Sequence, residues 1–250
     1  MTALEETTRL TRRQRKAATK QQNNHQQNKP KGLYLTSISP ITDNQEKTFD
    51  AFSYGKHLLL HGSAGTGKTF ISLYLSLMEV MTGDSDYNKV VITRSVVPTR
   101  DMGFLPGSAK DKAQVYEAPY YGICSELFER GDAYSILKSN GTVEFQTTSF
   151  IRGLTYNNCI IIVDEMQNCT YQELDTVITR LGTNCKIIFC GDFKQTDLQR
   201  DSEKRGLLDF MRILRKMNKF ENIEFNHDDI VRSDLVKQYI IAKEELSISY

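Results

Sequence analysis

The sequence predicts an α/β protein, a mostly parallel sheet with helices on both faces, and three observations carry that prediction. The first is Gly62-Ser63-Ala64-Gly65-Thr66-Gly67-Lys68-Thr69, a G-x-x-x-x-G-K-[ST] stretch between a strand-like run at 56–61 and an apolar run of helical spacing at 70–78. The second is the aliphatic run Cys159-Ile160-Ile161-Ile162-Val163, dense enough for a strand buried on both faces and ending in Asp164-Glu165. The third is the repeated alternation of short apolar runs with amphipathic ones along the chain.

The glycine-rich stretch has a physical reading. Glycines let consecutive backbone N–H groups turn inward around a phosphate, and the N-terminus of the next helix adds partial positive charge. In that setting Lys68 reaches the terminal phosphates and the Thr69 hydroxyl takes one position on Mg²⁺. Asp164, at the C-terminal end of its strand, is placed to hold Mg²⁺ chiefly through its water shell, and Glu165 to align and deprotonate an attacking water. The alternative for either motif alone is a glycine-rich turn or an accidental acidic strand end; together they point to a nucleoside triphosphate.

The remaining elements follow in order. Residues 1–32 carry Arg9, Arg12, Arg13, Arg15, Lys16, Lys20, Lys29 and Lys31 against Glu5 and Glu6, a net charge of +6 in a chain whose total is +1. With Gln and Asn filling the rest, this stretch reads as a disordered basic arm, suited to salt-sensitive contact with nucleic acid or simply to solubility. Residues 33–250 read as one folded domain. Asp43 with Glu46 suggests a capping box opening a helix to residue 54. Gln45 in its first turn has the donor and acceptor needed to read the edge of adenine, although a solvated helix glutamine explains the position equally well. A strand at 89–94 ends in Arg94 and leads into a turn-rich loop through 107. The helix at 110–130 should be interrupted at Pro119. A strand at 143–147 precedes the acidic one. Thr170 with Glu173 caps a helix whose last turn presents Arg180 and which stops at Gly182. A buried strand at 186–190 runs into Gly191-Asp192-Phe193-Lys194-Gln195, where the Gln195 amide would lie near a γ-phosphate. A helix at 203–217, a strand at 222–225, a loop holding Arg232 and a last helix at 233–246 complete the chain.

Composition narrows the function classes. Hydrophobic content of 39% and charge of 25% are ordinary for a soluble protein, and no run spans a bilayer. No secretory leader is visible, so the expected location is cytoplasmic. The odd set of five cysteines forms no C-x-x-C pair, and the four histidines show no ligand spacing. At 250 residues there is room for one domain of about 200 residues and a tail, not two such domains.

The phosphate loop, Gly103-Phe104-Leu105-Pro106-Gly107, Asp164-Glu165-Met166-Gln167-Asn168, Thr179-Arg180-Leu181-Gly182, the segment 191–198 and Asp229-Ile230-Val231-Arg232 together closely resemble the PhoH family. These are the phosphate-starvation-inducible ATPases, related to the first RecA-like domain of superfamily 1 helicases and found in bacteria and bacteriophages. The resemblance spans residues 39–246. It implies a single RecA-like P-loop NTPase domain in the cytoplasm, ATP and Mg²⁺ as ligands, hydrolysis, and a link to RNA metabolism. Residue by residue, it implies adenine reading by Gln45, phosphate and metal roles for Lys68 and Thr69, metal and catalytic acids at Asp164 and Glu165, a γ-phosphate sensor at Gln195 and a γ-phosphate arginine at Arg232. Two positions depart from the family pattern. Ser95 stands where proline is usual, and Leu154 where Arg152-Gly153-Leu154-Thr155 would normally read Arg-Gly-Arg-Thr.

One RecA-like domain supplies half of a composite site. The expected partner is therefore another copy, in a head-to-tail ring such as a hexamer, with Arg94, Arg180 and Arg232 as candidates for the inserted arginine. Single-stranded RNA or DNA is the expected nucleic acid partner. Rival readings are a translocating helicase and an ATP-dependent switch that hardly hydrolyses. A GTPase fits less well, because Asn218-Lys219-Phe220-Glu221 only loosely matches a guanine-reading Asn-Lys-x-Asp.

Overall fold

The computed structural model describes residues 32–82, 85–95, 109–151, 153–193 and 200–246, with the backbone alone at 109–114. Residues 1–31 of the basic arm, the Gly103–Gly107 segment, Arg152 and Gln195 lie outside the described residues.

Six strands form one parallel sheet: β1 (His57–Gly62), β2 (Lys89–Arg94), β3 (Val143–Thr147), β4 (Cys159–Asp164), β5 (Cys185–Gly191) and β6 (Phe220–Phe225). Their spatial order is β3-β2-β4-β5-β1-β6. All six residues of β4 are buried, as expected where helices cover both faces.

The period of two along each strand divides the core. Leu58, Leu60, Ile160 and Ile162 face one layer, where they pack with α1 (Asp43–Ser53), α2 (Lys68–Met81), α3 (Ala109–Phe128) and α4 (Ala133–Ser139). Leu59, Ile161, Val163 and Phe189 face the other, against α5 (Tyr171–Thr179) and α6 (Asp201–Arg215). The last helix, α7 (Asp234–Glu245), buries none of its residues and lies along the phosphate loop, with Ile240 over Gly65.

Three local features differ from expectation. The first helix is capped by Thr42, whose hydroxyl accepts from the Gln45 N–H at 3.4 Å, so Asp43 belongs to the first turn, where its charge meets the helix dipole. Helix α3 runs through Pro119 without a break. Burial of Tyr120, Cys124 and Leu127 on its sheet-facing side offsets the hydrogen bond that proline lacks. Helix α4 is an added element of 7 residues, too short to show a periodic signature, and it buries Tyr134 and Leu137. The capping box of Thr170 and Glu173 forms as read.

Candidate nucleotide-binding site

A cleft of about 740 Å³ opens at the C-terminal edge of the sheet, between the loop that follows β1 and the acidic end of β4. Its floor is 62–69. Gly62 has φ +115°, and a Cβ there would stand 2.0 Å from the Phe225 carbonyl oxygen, so no other residue fits beside β6. The loop is pinned on both sides: the Ser63 N–H donates to the Phe225 carbonyl at 3.0 Å, and the Val231 N–H to the Gly65 carbonyl at 3.1 Å. Gly67, at φ +81°, is the N-cap of α2, and the helix points its first N–H groups at the cleft. Ala64 and Thr66 line the cleft with the glycines.

Lys68 folds back over the loop. Its Nζ donates to the Gly62 carbonyl at 3.0 Å, the Ser63 carbonyl at 2.7 Å and Thr66 Oγ1 at 3.2 Å. Burial lowers its pKa below the usual lysine range, opposed by the carboxylates Asp192, Glu165 and Asp164. Next to it, Thr69 Oγ1 donates to Asp164 Oδ1 at 2.7 Å. The other carboxylate oxygen of Asp164 accepts from the Tyr120 hydroxyl at 2.8 Å. Tyr120 is fully buried, and burial followed by the charge of Asp164 holds its hydroxyl well above the ordinary tyrosine range, so it stays a donor.

Glu165 solves a geometric problem. Successive strand residues point to opposite faces, which would separate two adjacent carboxylates. Glu165 instead adopts a left-handed conformation, φ 51° and ψ 43°, that breaks the alternation and turns the side chain into the same cleft as Asp164. Burial raises its carboxyl pKa, the charge of Asp164 raises it further, and Arg94, a hydrogen bond from Gln167 and Lys68 work against that rise. Gln167 bridges two strand ends: its amide donates to Glu165 and accepts from the Asp192 N–H at 3.0 Å. A Cβ on Gly191 would lie 2.8 Å from that amide oxygen, so the glycine at the end of β5 makes room for the bridge.

The three arginines separate. Arg94 is the register partner of Asp164 and lies with its guanidinium 5.8 Å from the Tyr116 ring centre. Arg232 is exposed and drapes over the loop, its Cγ 2.9 Å from where a Gly65 Cβ would stand. Arg180 caps the C-terminus of α5 at the opposite edge of the sheet: its carbonyl accepts from the Tyr156 N–H at 2.9 Å, three residues before β4 begins. The chain thus brings Arg232 into the lining of its own cleft, sets Arg94 beside Asp164 on the neighbouring strand, and leaves Arg180 outside. Gln45 is buried at the cleft wall; its Nε2 donates to the Thr66 carbonyl at 3.3 Å and its Oε1 accepts from the Ile41 N–H at 2.9 Å. One N–H and one lone pair of that amide stay available to a ligand. Around it Ile38, Phe49 and Ile123 form an apolar wall suited to a flat ring.

Gln167 and Asp192 in the cleft, and Tyr120 buried behind Asp164, are residues of the site to which sequence reasoning gave no role. Gln167 and Asp192 stand inside motifs that were read, whereas Tyr120 has no signal beyond its place after a helix proline. The ligands implied by the motifs fit the groups present. Ahead of Lys68 the loop lines the cleft only with the small residues Ala64, Gly65, Thr66 and Gly67, and the Thr69 hydroxyl beside Asp164 is the kind of hard oxygen set that Mg²⁺ shares with phosphates and water.

A parallel sheet with this strand order, a phosphate loop after β1 and an acidic strand end at β4 define a P-loop NTPase domain of the RecA-like class. The PhoH family profile, described as PhoH-like protein, matches residues 37–244. The chain belongs to the PhoH family. It is 34% identical over 205 residues to a PhoH-like protein of Synechocystis, covering 79% of this chain and 61% of that one. It is 33% identical over 186 residues to Protein PhoH of Escherichia coli, covering 72% of this chain and 51% of that one. The chain thus spans less than two thirds of these relatives' lengths. Among solved structures, the large terminase of a thermophilic bacteriophage aligns over 80% of this chain and 50% of its own, at 13% identity and a TM-score of 0.48. Among the described residues no helix is long and apolar enough to cross a membrane.

Proposed function

We propose that this domain binds ATP with Mg²⁺ and hydrolyses it to ADP and phosphate. The observation that carries the reading is the 2.7 Å contact between Thr69 Oγ1 and Asp164 Oδ1, which joins the phosphate loop to the acidic end of a strand two places away in the sheet. In this reading Lys68 exchanges its three loop partners for the β- and γ-phosphate oxygens, a trade made easy because those partners are neutral. Thr69 and Asp164 hold the metal, which when bound neutralises charge on the phosphates. Glu165 accepts a proton from the water that attacks in line with the leaving oxygen, and Gln167 fixes the direction of its carboxylate. Arg232 and Arg94 meet the charge that spreads over the transferring group.

The finer parts of the proposal are that single-stranded RNA, or another single strand, stimulates turnover and that sites are completed between head-to-tail subunits of a ring. The family membership and the +6 charge of residues 1–31 support the first. The position of Arg180, away from its own cleft, supports the second. The test is ATP turnover with and without single-stranded RNA, over a range of protein concentration, beside Lys68→Ala and Glu165→Gln. Both substitutions should lower turnover by about 10²-fold or more, and the rate per subunit should rise with concentration. Equal turnover in all three proteins would end the reading, a flat concentration dependence would remove the shared site, and an RNA-independent rate would remove the nucleic acid.

A further inference from the structure

Helix α3 touches the site twice, one turn apart. Tyr116 lies against Arg94, the register partner of Asp164, and Tyr120 donates to Asp164 itself. The two oxygens of Asp164 are therefore divided between different elements: Oδ1 faces Thr69 of the phosphate loop and Oδ2 is occupied by Tyr120. A carboxylate on a strand end rotates about its last bond unless both oxygens are held. With Tyr120 on Oδ2, the oxygen left toward the loop is always the same one, and it is the one beside the Thr69 hydroxyl. Tyr120 has no access to solvent, so no water replaces its hydroxyl without opening the core.

We propose that Tyr120 is a positioning residue for the metal: it fixes the Asp164 carboxylate so that Oδ1 is presented, together with Thr69, to a divalent cation bound with the nucleotide. The inference rests on the nucleotide-site reading above and adds a residue from a helix that carries none of the phosphate-loop or acidic-strand motifs. Partners that orient a metal-holding group from behind contribute about 10–100-fold to metal affinity. The neighbouring Tyr121, which packs on Tyr134 with ring centres 4.5 Å apart and is 39% exposed, is the internal control.

The experiment measures binding of a fluorescent ATP analogue, at fixed nucleotide, as Mg²⁺ is titrated, and separately in excess chelator. Tyr120→Phe keeps the ring and removes the hydroxyl. It should raise the Mg²⁺ concentration for half-maximal tightening by about 10-fold or more and leave metal-free nucleotide binding unchanged. Tyr121→Phe should match wild type in both measurements. A Tyr120→Phe protein with the wild-type Mg²⁺ dependence overturns the proposal. So does one that loses metal-free and metal-dependent binding equally, because that describes a packing role. If wild type itself shows no Mg²⁺-dependent nucleotide binding, the nucleotide-site reading fails and takes the proposal with it. Should Tyr120→Phe not fold, 4-aminophenylalanine at position 120 places a weaker N–H donor at the same point. Its half-saturation should be shifted in the same direction by a smaller factor, and no shift overturns the proposal.

Discussion

Replacing Lys68 by Met tests whether that ammonium serves the ligand or the fold. Lys68 Nζ makes three hydrogen bonds within the loop, to Gly62, Ser63 and Thr66. Bonds from a charged donor contribute about 1.5–3 kcal/mol each in mutational series, which taken alone would make the substitution severe. Against them stands the cost of removing an ammonium from water, several kcal/mol in a buried site. The lowered pKa of Lys68 gives the sign of that balance: burial outweighs the attraction of the carboxylates Asp192, Glu165 and Asp164. Lys68→Met should therefore change the unfolding free energy without ligand by no more than about 1 kcal/mol. With Mg-ATP at 100 times its dissociation constant, wild type should gain about 2.7 kcal/mol by linkage and the variant essentially nothing. The pH dependence has a definite sign. Because the folded-state pKa lies below the unfolded one, the unfolded chain holds more protons in the window between them, and wild-type stability rises with pH there relative to the variant. Urea unfolding at neutral and alkaline pH, with and without nucleotide, measures all three quantities. A ligand-free loss above about 3 kcal/mol, or a nucleotide-linked gain retained by the Lys68→Met protein, would refute the reasoning.

Three further outcomes are expected. Glu165→Gln should keep nucleotide binding and lower turnover by about 10²–10⁴-fold; in wild type, because burial and Asp164 raise this carboxyl, the acid limb of the turnover profile should lie above the ordinary carboxylate range, and a limb at or below that range would contradict the role. Gly62→Ala should fail to fold or lose more than about 4 kcal/mol, since its Cβ would meet main-chain atoms of β6 at 2.0 Å, whereas Gly65→Ala should cost about 1–2 kcal/mol because its nearest neighbour is the movable Arg232 side chain; circular dichroism and thermal melts separate the two. Glu173→Ala removes the acceptor of Ser95 Oγ at 3.1 Å, of Thr148 Oγ1 and of the Thr170 N–H at 2.8 Å, and should cost about 2–4 kcal/mol in denaturant titrations. A change near zero would mean those three strand and helix ends are not tied through Glu173.

Strand placement was legible because buried parallel strands read as continuous aliphatic runs, and the run at 159–163 ends one residue before β4 does. The phosphate loop was legible because its glycines answer a steric demand that the Phe225 carbonyl makes visible. What could not be read depends on tertiary contact. Nothing local distinguishes Tyr120 from Tyr121, yet one is sealed against Asp164 and the other faces outward. Continuity of α3 through Pro119 is decided by packing on the sheet, not by helix propensity. Ser95, a departure from the family pattern, is explained by its hydrogen bond to Glu173, which a proline could not make with its side chain. The separation of Arg180 from Arg94 and Arg232 follows from the direction of α5, which runs back from the ligand edge to the far end of the sheet.

The left-handed backbone at Glu165 has a consequence for how this protein tolerates change. A residue with a side chain is disfavoured there by about 1–2 kcal/mol relative to glycine, so at the end of β4 the domain keeps a conformation that its sequence resists. Selection of random variants for heat resistance alone would drift toward Gly or Asn at this position and, with Glu165 as the proposed proton acceptor, lose turnover while improving melting behaviour. Homologues engineered for durability therefore need activity in the screen from the first round.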